Sequence, residues 1–348
     1  MLLFKYSKKK CPLGVKMAEI EKFNPDPNLK LMDQVVQVLR YHHYAYRTEK
    51  IYCEWIVRFL KHFNYEKHPK DMGKLEIEQF LSYLATDRNV SAATQQQATT
   101  AIIFLFREVL HIDIDDKIQP IKAPKRNPLP VVMSMEEVRK LISQLSGNNL
   151  LLAKLLYGSG LRLMEAIRLR VKDLDFENNL INVYDGKRMK NRISILPESL
   201  HNDLKMQIQK VKNIHENDIK EGFGAVWLPD ALDVKYPNAP KEIQWQYLFP
   251  SMKRSIDPRS GLERRHHIKE ATIQRAIKLA AKSINLNKRV SCHTFRHCFA
   301  THLLEKGANI RQVQKLMGHN DLKTTEIYLH LMDTKMKVKS PLDYIVAD

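Results

Sequence analysis

Apolar residues recur at helical spacing through most of the first hundred positions. Further apolar stripes follow over residues 77–84 and 98–110, and short hydroxyl side chains that can cap helix starts stand at Thr48, Ser91 and Thr94. This pattern predicts a small all-α domain of four or five helices over residues 31–118. The clearest stripe runs in three- and four-residue steps through Tyr52, Trp55, Ile56, Phe59 and Leu60.

The regions on either side of this domain lack periodicity. Residues 1–30 show no helical or strand pattern and are expected to form a flexible basic arm. Residues 119–131 contain prolines at 120, 124, 128 and 130 between lysines and an arginine, which predicts an extended basic linker. Such a linker is either a solvated spacer or a strand that follows a DNA backbone.

A second domain is predicted over residues 132–331. Ser134 begins a helix that carries Glu136 and Glu137 in its first turn, where the helix dipole favours negative charge. Residues 151–171 are mainly helical around two glycines, and alternating apolar residues at 181–183 and 193–195 predict a β-hairpin around the charged turn at 185–190. An insertion of mixed character lies at about 200–270, and a polar tail follows at 332–348. The expected fold class is therefore mainly α with a small β component (α+β).

Charge narrows the classes of partner. The chain has 348 residues, a net charge of +18 and a pI near 9.6, with the excess in residues 1–17 and in the C-terminal half. A basic surface favours a polyanion such as DNA, although membrane surfaces attract the same charge. No apolar run approaches the roughly 20 residues that span a bilayer, so we expect a soluble, cytoplasmic protein. The four cysteines lack metal-ligand spacing and are expected to stay reduced.

Five residues in the second domain form a set suited to phosphodiester chemistry without a metal. Guanidinium groups bind phosphate oxygens in pairs, and histidine exchanges protons near neutral pH. A tyrosine hydroxyl can attack phosphorus and hold the phosphoryl group covalently. The set consists of Arg162, His293, Arg296, His319 and Tyr328.

The segments that carry these residues resemble the tyrosine recombinase family. The matching segments are 158–165, the hairpin turn at 186–187, 293–297, 316–319 and 324–328; they stand in the family's order within residues 31–331. Within the family the chain is most similar to integron integrases, because segments 225–229, 236–240, 247–250 and 264–267 resemble the insertion of that group. The turn departs from the commonest pattern, since Arg188 and Met189 replace small glycine-rich residues.

The resemblance implies a role for each residue of the set. Arg162 and Arg296 would grip the phosphate, with Glu165 orienting Arg162 and His319 donating to a non-bridging oxygen. Tyr328 would be the nucleophile, with His293 as its proton acceptor or hydrogen-bond partner. Lys187, in the hairpin turn, would protonate the departing 5′ oxygen, and Lys190 is the alternative for that role.

The similarity to integron integrases also implies a surface for unpaired, extrahelical bases. Its candidate residues are Trp227, Pro240, His266 and His267. A tryptophan in this position is otherwise ordinary core, and the two histidines would otherwise be a basic phosphate contact. A metal site is disfavoured, because no Cys or carboxylate cluster completes a coordination set.

Taken together, the resemblance implies a site-specific DNA recombinase that works through a 3′-phosphotyrosine intermediate, with no ATP, metal or other cofactor. An integron integrase would insert and excise gene cassettes at folded single-stranded sites. A helical core-binding domain and a catalytic domain would clamp DNA, protomers would form a tetramer on the DNA synapse, and the tail would dock in trans or fray. Alternatives are a double-strand-specific recombinase of the phage or chromosome-dimer-resolution type, a type IB-like topoisomerase, and a DNA-binding protein without catalysis.

Overall fold

The computed structural model of the chain describes residues 23–114, 118–124, 130–184, 191–228 and 231–333. The chain divides into two compact units, residues 1–128 and 129–348, and each is treated by itself. The mainly helical class with few strands is confirmed. Among the described helices, none combines the length and apolar character needed to cross a membrane.

The N-terminal unit is built from helices, as predicted. Ser91 caps the fourth helix by accepting a hydrogen bond from the backbone N–H of Thr94, so Thr94 lies inside that helix and does not begin it. Thr48 also lies inside a helix, the second, which begins two residues earlier at Tyr46. A π-helical turn, Leu105–Val109, extends the fourth helix. The helices are α1 (Leu31–Tyr41), α2 (Tyr46–His62), α3 (Lys74–Thr86) and α4 (Ala92–Phe104).

Side chains of α3 and α4 hold the segment that follows the helices of this unit. The Gln95 amide donates to the carbonyl of Ile121 at 2.7 Å and accepts from the N–H of Ala123 at 2.9 Å. Ser82 accepts from the N–H of Ile121 at 3.0 Å. Residues 119–123 therefore lie along α3 and α4, because these side chains supply the hydrogen bonds that an extended backbone cannot make internally.

The C-terminal unit combines helices with two small antiparallel sheets. The predicted hairpin is confirmed: β2 (Leu180–Val183) pairs with β3 (Arg192–Ile195), and β1 (Leu174–Asp175) pairs with the other edge of β2. A second hairpin joins β4 (Ser255–Ile256) to β5 (Glu263–Arg264). The helices are α5 (Met135–Ile142), α6 (Gly147–Ser159), α7 (Leu163–Arg168), α8 (His201–Lys220), α9 (Ala231–Lys235), α10 (Glu270–Ser283), α11 (Cys292–Glu305), α12 (Ile310–Met317) and α13 (Lys323–Asp333).

Helix α11 is the centre of this unit. Phe295 and Cys298 pack into the main core with α6 and α10, whereas Phe299 and Leu304 pack into a second cluster with α12 and α13. A helix buried on several faces is fixed in rotation and position. The polar side chains that α11 carries are therefore held in a rigid setting.

The helix start predicted at Ser134 is confirmed. Ser134 and Glu137 form a reciprocal capping box at the start of α5. Gly318 ends α12 in the left-handed conformation, with φ 62°. A side chain at Gly318 would also collide with the Arg192 side chain, so glycine is required there on two counts.

Candidate active site

Three arginine side chains meet at the C-terminal end of α12. The last carbonyl groups of a helix lack intrahelical partners and carry partial negative charge, so they attract cations. This helix end stabilises three positive charges that would otherwise repel one another. The hydrogen-bonding pairs are Arg192 with the carbonyl of Leu316 at 2.9 Å, Arg296 with that of Met317, and Arg162 with that of Gly318 at 3.5 Å.

Glu165 links two of these arginines. Arg162 precedes α7, and both its backbone N–H and its Nη1 donate to the Glu165 carboxylate, at 2.8 and 2.7 Å. Arg192 at the start of β3 donates to the same carboxylate. Burial raises the pKa of Glu165, but Arg192 and the hydrogen bonds from Arg162 outweigh it and hold that pKa below its usual range. Glu165 is therefore an anion that fixes Arg162, whose side chain remains 40% exposed.

Arg296 is the buried member of the predicted phosphate clamp. Its Nη1 donates to the carbonyl of Gly160, the residue that ends α6 in the left-handed conformation. Only 4% of Arg296 is exposed, and burial followed by repulsion from Arg162 lowers its pKa to about 9, so it keeps its proton at pH 7. Backbone carbonyls thus orient this guanidinium before any substrate arrives.

His319 contacts Arg296 and α13 at once. Its Nε2 lies 3.3 Å from Arg296 Nη2, and its Nδ1 lies 3.0 Å from the Thr325 hydroxyl. A guanidinium can only donate, so Nε2 is the acceptor here and Nδ1 carries the hydrogen. Burial and then Arg296 lower the pKa of His319 to about 4. Thr325, near the start of α13, is thus the partner of His319.

Tyr328 lies on α13 against these groups. Its ring stacks on His319 with centroids 6.3 Å apart, and only 2% of the residue is exposed. Its hydroxyl is 2.9 Å from Nδ1 of His297, one helical turn beyond His293 on α11. Burial raises the pKa of Tyr328, and the charge of Arg296 opposes that increase. The hydrogen-bond partner of the tyrosine in this structure is thus His297.

His293 lies at the rim of the same cluster. It is exposed, and its ring centroid is 6.5 Å from that of His297. Partial burial and then Arg296 lower its pKa, which keeps the ring neutral at pH 7. Lys187 and Lys190 fall in the turn at 185–190 and lie outside the described residues. Over the residues that the structure describes, no group of three or more His, Cys, Asp or Glu side chains is arranged to hold a metal ion.

The candidate base-binding residues of the insertion differ in exposure. Trp227 is 39% exposed and His266 is exposed, whereas His267 is half-buried and Pro240 is buried. The Pro240 carbonyl accepts from the N–H of Val226 at 3.0 Å, so this residue supports the segment from within. Burial and His266 lower the pKa of His267 to about 4.

A buried arginine joins the two exposed members of this group. Arg170 donates to the carbonyl of Trp227 at 2.8 Å and to that of Trp245, and its guanidinium lies 4.7 Å from the ring centre of Tyr247. Tyr247 in turn lies 5.3 Å from the ring of His266. Trp227 and His266 therefore belong to one packed cluster.

Sequence reasoning missed three residues of the site: Arg192, His297 and Thr325. Nothing in the local pattern marks Arg192, because its link to Glu165 joins a strand to a helix far away along the chain. His297 carried a signal, since it lies four residues after His293 and therefore on the same side of α11. Thr325 belongs to the matching segment 324–328, where a hydroxyl near the start of a helix indicates a cap and not a partner of His319.

Comparison with known families agrees with this geometry. The chain matches the phage integrase family over residues 132–335 and the phage integrase N-terminal SAM-like domain over residues 31–116. It therefore belongs to the phage integrase family, the tyrosine recombinases. The protein is an enzyme of the class that cleaves and rejoins DNA in site-specific recombination.

Individual relatives and solved structures show the extent of the likeness. An "Integrase/recombinase" of Escherichia coli is 43% identical over 321 residues, covering 92% of this chain and 95% of the relative. "Tyrosine recombinase XerA" of Thermococcus onnurineus is 31% identical over 286 residues, covering 81% of this chain and 83% of the relative. The fold is similar to XerH bound to palindromic difH substrate, at a TM-score of 0.57 and 19% identity, covering 90% of this chain and 97% of that one. A lambda integrase dimer bound to a core site gives a TM-score of 0.55 at 17% identity, covering 86% of this chain and 93% of that one.

Proposed function

We propose that Tyr328 attacks a DNA phosphate, displaces a 5′ hydroxyl and leaves a 3′-phosphotyrosine, which a second strand's 5′ hydroxyl then reverses. The observation that carries this proposal is the convergence of Arg162, Arg296 and His319 on the side of α11 and α12 that Tyr328 faces. Two guanidinium groups supply the charge that a metal ion supplies in other phosphoryl-transfer enzymes. The phosphoryl bond energy is kept in the covalent intermediate, so no ATP or other cofactor is required.

Entry of the phosphate is expected to change the hydrogen bonds between Arg296 and His319. In the DNA-free site Arg296 donates to backbone carbonyls and to the lone pair of His319. A phosphate oxygen that draws Arg296 away frees His319 Nε2, which needs a hydrogen to donate to a non-bridging oxygen. We therefore propose that phosphate binding is coupled to a change in the protonation of His319. Arg162 completes the clamp from the exposed side, oriented by Glu165.

The leaving oxygen requires a proton from another group. Lys187 is our proposal for that acid, with Lys190 as the alternative, because both belong to the turn between β2 and β3. A lysine in a surface turn can approach the scissile phosphate with little cost to the rest of the fold. His293, exposed at the rim of the cluster, is proposed to contact the substrate phosphate or the attacking oxygen.

We further propose that the enzyme is an integron integrase that inserts and excises gene cassettes at folded single-stranded sites. The support is the insertion after β3, where Trp227 and His266 are exposed and linked through Arg170 and Tyr247. An exposed ring gives roughly 1–3 kcal/mol per stacked base and accepts any base. A base that is already unpaired avoids the cost of leaving the helix. Pro240 and His267 would then support this surface from behind.

The assembly is part of the same proposal. We propose that two domains, residues 31–118 and 132–331, close around DNA like a clamp. The linker at 119–131 joins them, and residues 1–30 form a basic arm. Four such protomers on two sites would form the synapse. The tail at 332–348, outside the described residues, would dock on a neighbouring subunit.

Covalent capture of DNA tests the chemistry. Protein expressed with DNA is trapped by rapid denaturation, and the DNA that stays attached is sequenced, which also identifies the site. Tyr328→Phe should remove the adduct and leave binding nearly intact, because the hydroxyl contributes little to electrostatic affinity. Undiminished adduct in the variant would reject Tyr328 as the nucleophile.

A comparison of binding to two hairpin DNAs, one with bulged bases and one without, tests the integron assignment. A hairpin with bulged bases should bind more tightly than its fully paired counterpart at the same salt, and Trp227→Ala should remove most of the difference. Tyr236→Ala, at another exposed aromatic of the insertion, is the matched control and should keep it. Equal binding of both hairpins by the unaltered protein would favour a double-strand-specific recombinase of the phage or chromosome-dimer-resolution type.

A further inference from the structure

His297 is in direct contact with the oxygen that the reaction uses. Its Nδ1 lies 2.9 Å from the Tyr328 hydroxyl, and the two ring centroids are 5.7 Å apart. The ring is half-buried on α11, whose packing into two cores fixes its position. His293 on the same helix is exposed, and its ring centroid lies 6.5 Å from that of His297. The geometry therefore places an imidazole nitrogen within hydrogen-bond distance of the tyrosine oxygen.

We propose that His297 is a catalytic residue that accepts the Tyr328 proton during cleavage and returns it during rejoining. The inference rests on the proposed role of Tyr328 as the nucleophile. In cleavage the tyrosine oxygen forms a bond to phosphorus while its proton passes to Nδ1 of His297. The bond from phosphorus to the 5′ oxygen breaks, and the proposed leaving-group acid protonates that oxygen. In rejoining, the 5′ hydroxyl returns its proton to that group and attacks phosphorus, the bond from phosphorus to the tyrosine oxygen breaks, and His297 returns its proton to the tyrosine.

The charges around His297 determine when this transfer is possible. The groups that face it are Tyr328 from α13, His293 and Arg296 from its own helix, and His319 from the end of α12. Burial, followed by His293 and Arg296, lowers the pKa of His297 to about 4, so the ring is neutral at pH 7 and one nitrogen has a free lone pair.

A bound phosphate changes this balance. Its negative charge offsets Arg296 and Arg162, which favours a positive charge on His297 while the tyrosine oxygen loses its hydrogen. Transfer in step with formation of the bond to phosphorus avoids a free phenolate in a site where burial raises the pKa of Tyr328. The site is thus arranged so that proton transfer follows the arrival of DNA.

The tautomer of His297 is the first test, and it requires no DNA. The proposal requires a neutral ring with hydrogen on Nε2 and a lone pair on Nδ1. Nitrogen NMR of protein labelled at histidine should show this form for His297 at pH 7, and Tyr328→Phe should shift its Nδ1 signal. Hydrogen on Nδ1 would overturn the proposal, because the ring would then donate to the tyrosine oxygen.

Cleavage kinetics are the second test. The substrate is the duplex or hairpin recovered by covalent capture, synthesised with a nick beside the scissile phosphate so that the adduct accumulates. His297→Gln should lower the single-turnover rate by roughly 10²-fold or more, the range of general-base catalysis, without weakening binding. The unaltered enzyme should lose rate as the pH falls through the pKa that His297 has in the complex, and the variant should lack this limb. Added imidazole should restore part of the rate to His297→Gly.

A second histidine of α11 gives a matched control. His302 Nδ1 lies 3.0 Å from the hydroxyl of Tyr157. This is the same kind of histidine–tyrosine contact, but it does not involve Tyr328. His302→Gln should lower thermal stability and keep the pH limb. Normal cleavage by His297→Gln would overturn the role of His297. So would a loss of cleavage in which the variant keeps the pH limb and imidazole restores no rate to His297→Gly. If the unaltered enzyme captures no DNA at all, the proposed function itself fails, and the role of His297 fails with it.

Discussion

Replacing Glu165 by glutamine tests whether one carboxylate holds the phosphate clamp together. Glu165 accepts from the backbone and side chain of Arg162 and from the side chain of Arg192. Glutamine keeps the size of the side chain and one acceptor oxygen, but it removes the negative charge. Two guanidinium groups then lie side by side without the carboxylate that links them.

The magnitude follows from the exposure of each partner. Side chains of Glu165 and Arg192 are 12% and 11% exposed, so water screens this pair weakly. Removing one partner of a buried pair costs about 3–5 kcal/mol. Arg162 is 40% exposed, so its share is discounted for solvent screening. Because glutamine retains some hydrogen bonding, we expect a loss of about 2–3 kcal/mol in the free energy of unfolding of the C-terminal unit.

Urea unfolding followed by tryptophan fluorescence measures this loss. In a Trp55→Phe background the remaining tryptophans, Trp227 and Trp245, lie in the C-terminal unit. The pKa of Glu165 is lowered in the folded protein, so its contribution is present above the unfolded pKa and is lost as pH falls through the folded pKa. The difference between Glu165→Gln and the unaltered protein should therefore be large at pH 7 and shrink in acid.

Glu136→Gln provides the control for an exposed pair. Glu136 is 49% exposed and pairs with Arg139 and Lys140 on α5, so its loss should cost below about 0.5 kcal/mol. Equal stability of Glu165→Gln and Glu136→Gln at pH 7 would refute the argument. So would a Glu165→Gln deficit that stays constant as the pH falls.

Three further predictions concern the chemistry and the helix end. Arg162→Ala and Arg296→Ala should each lower the single-turnover cleavage rate by roughly 10²–10³-fold, as loss of a preorganised charge donor does, and near-normal rates would reject the clamp. Lys187→Ala should cleave a 5′-bridging phosphorothiolate far better than the normal phosphodiester, because sulfur leaves without a proton; equal defects on both substrates would shift the role to Lys190 or elsewhere. Gly318→Ala should destabilise the C-terminal unit by at least about 1–2 kcal/mol, since a non-glycine residue is strained at this φ, and unchanged urea unfolding would contradict that.

Local patterns along the chain were enough to predict the helical N-terminal unit, the hairpin of β2 and β3 and the start of α5. The hairpin around residues 185–190 followed from alternation, and the start of α5 followed from Ser134 and its acidic first turn. These features depend on neighbours a few residues apart, which the sequence displays directly. The proposed nucleophile and clamp followed from the spacing of arginine, histidine and tyrosine together with the family resemblance.

The contacts that organise the site depend on tertiary structure. The family resemblance implied His293 as the partner of the tyrosine, yet the packing of α13 against α11 brings its hydroxyl to His297. In the folded unit Arg192 of β3 reaches both Glu165 on α7 and the carbonyl of Leu316 at the end of α12, and Pro240 is buried by the fold of the insertion. Sequence determines which groups are available, since propensity and spacing act locally. Which atoms face each other depends on how helices distant along the chain pack, because burial and hydrogen-bond geometry are satisfied by the whole unit at once.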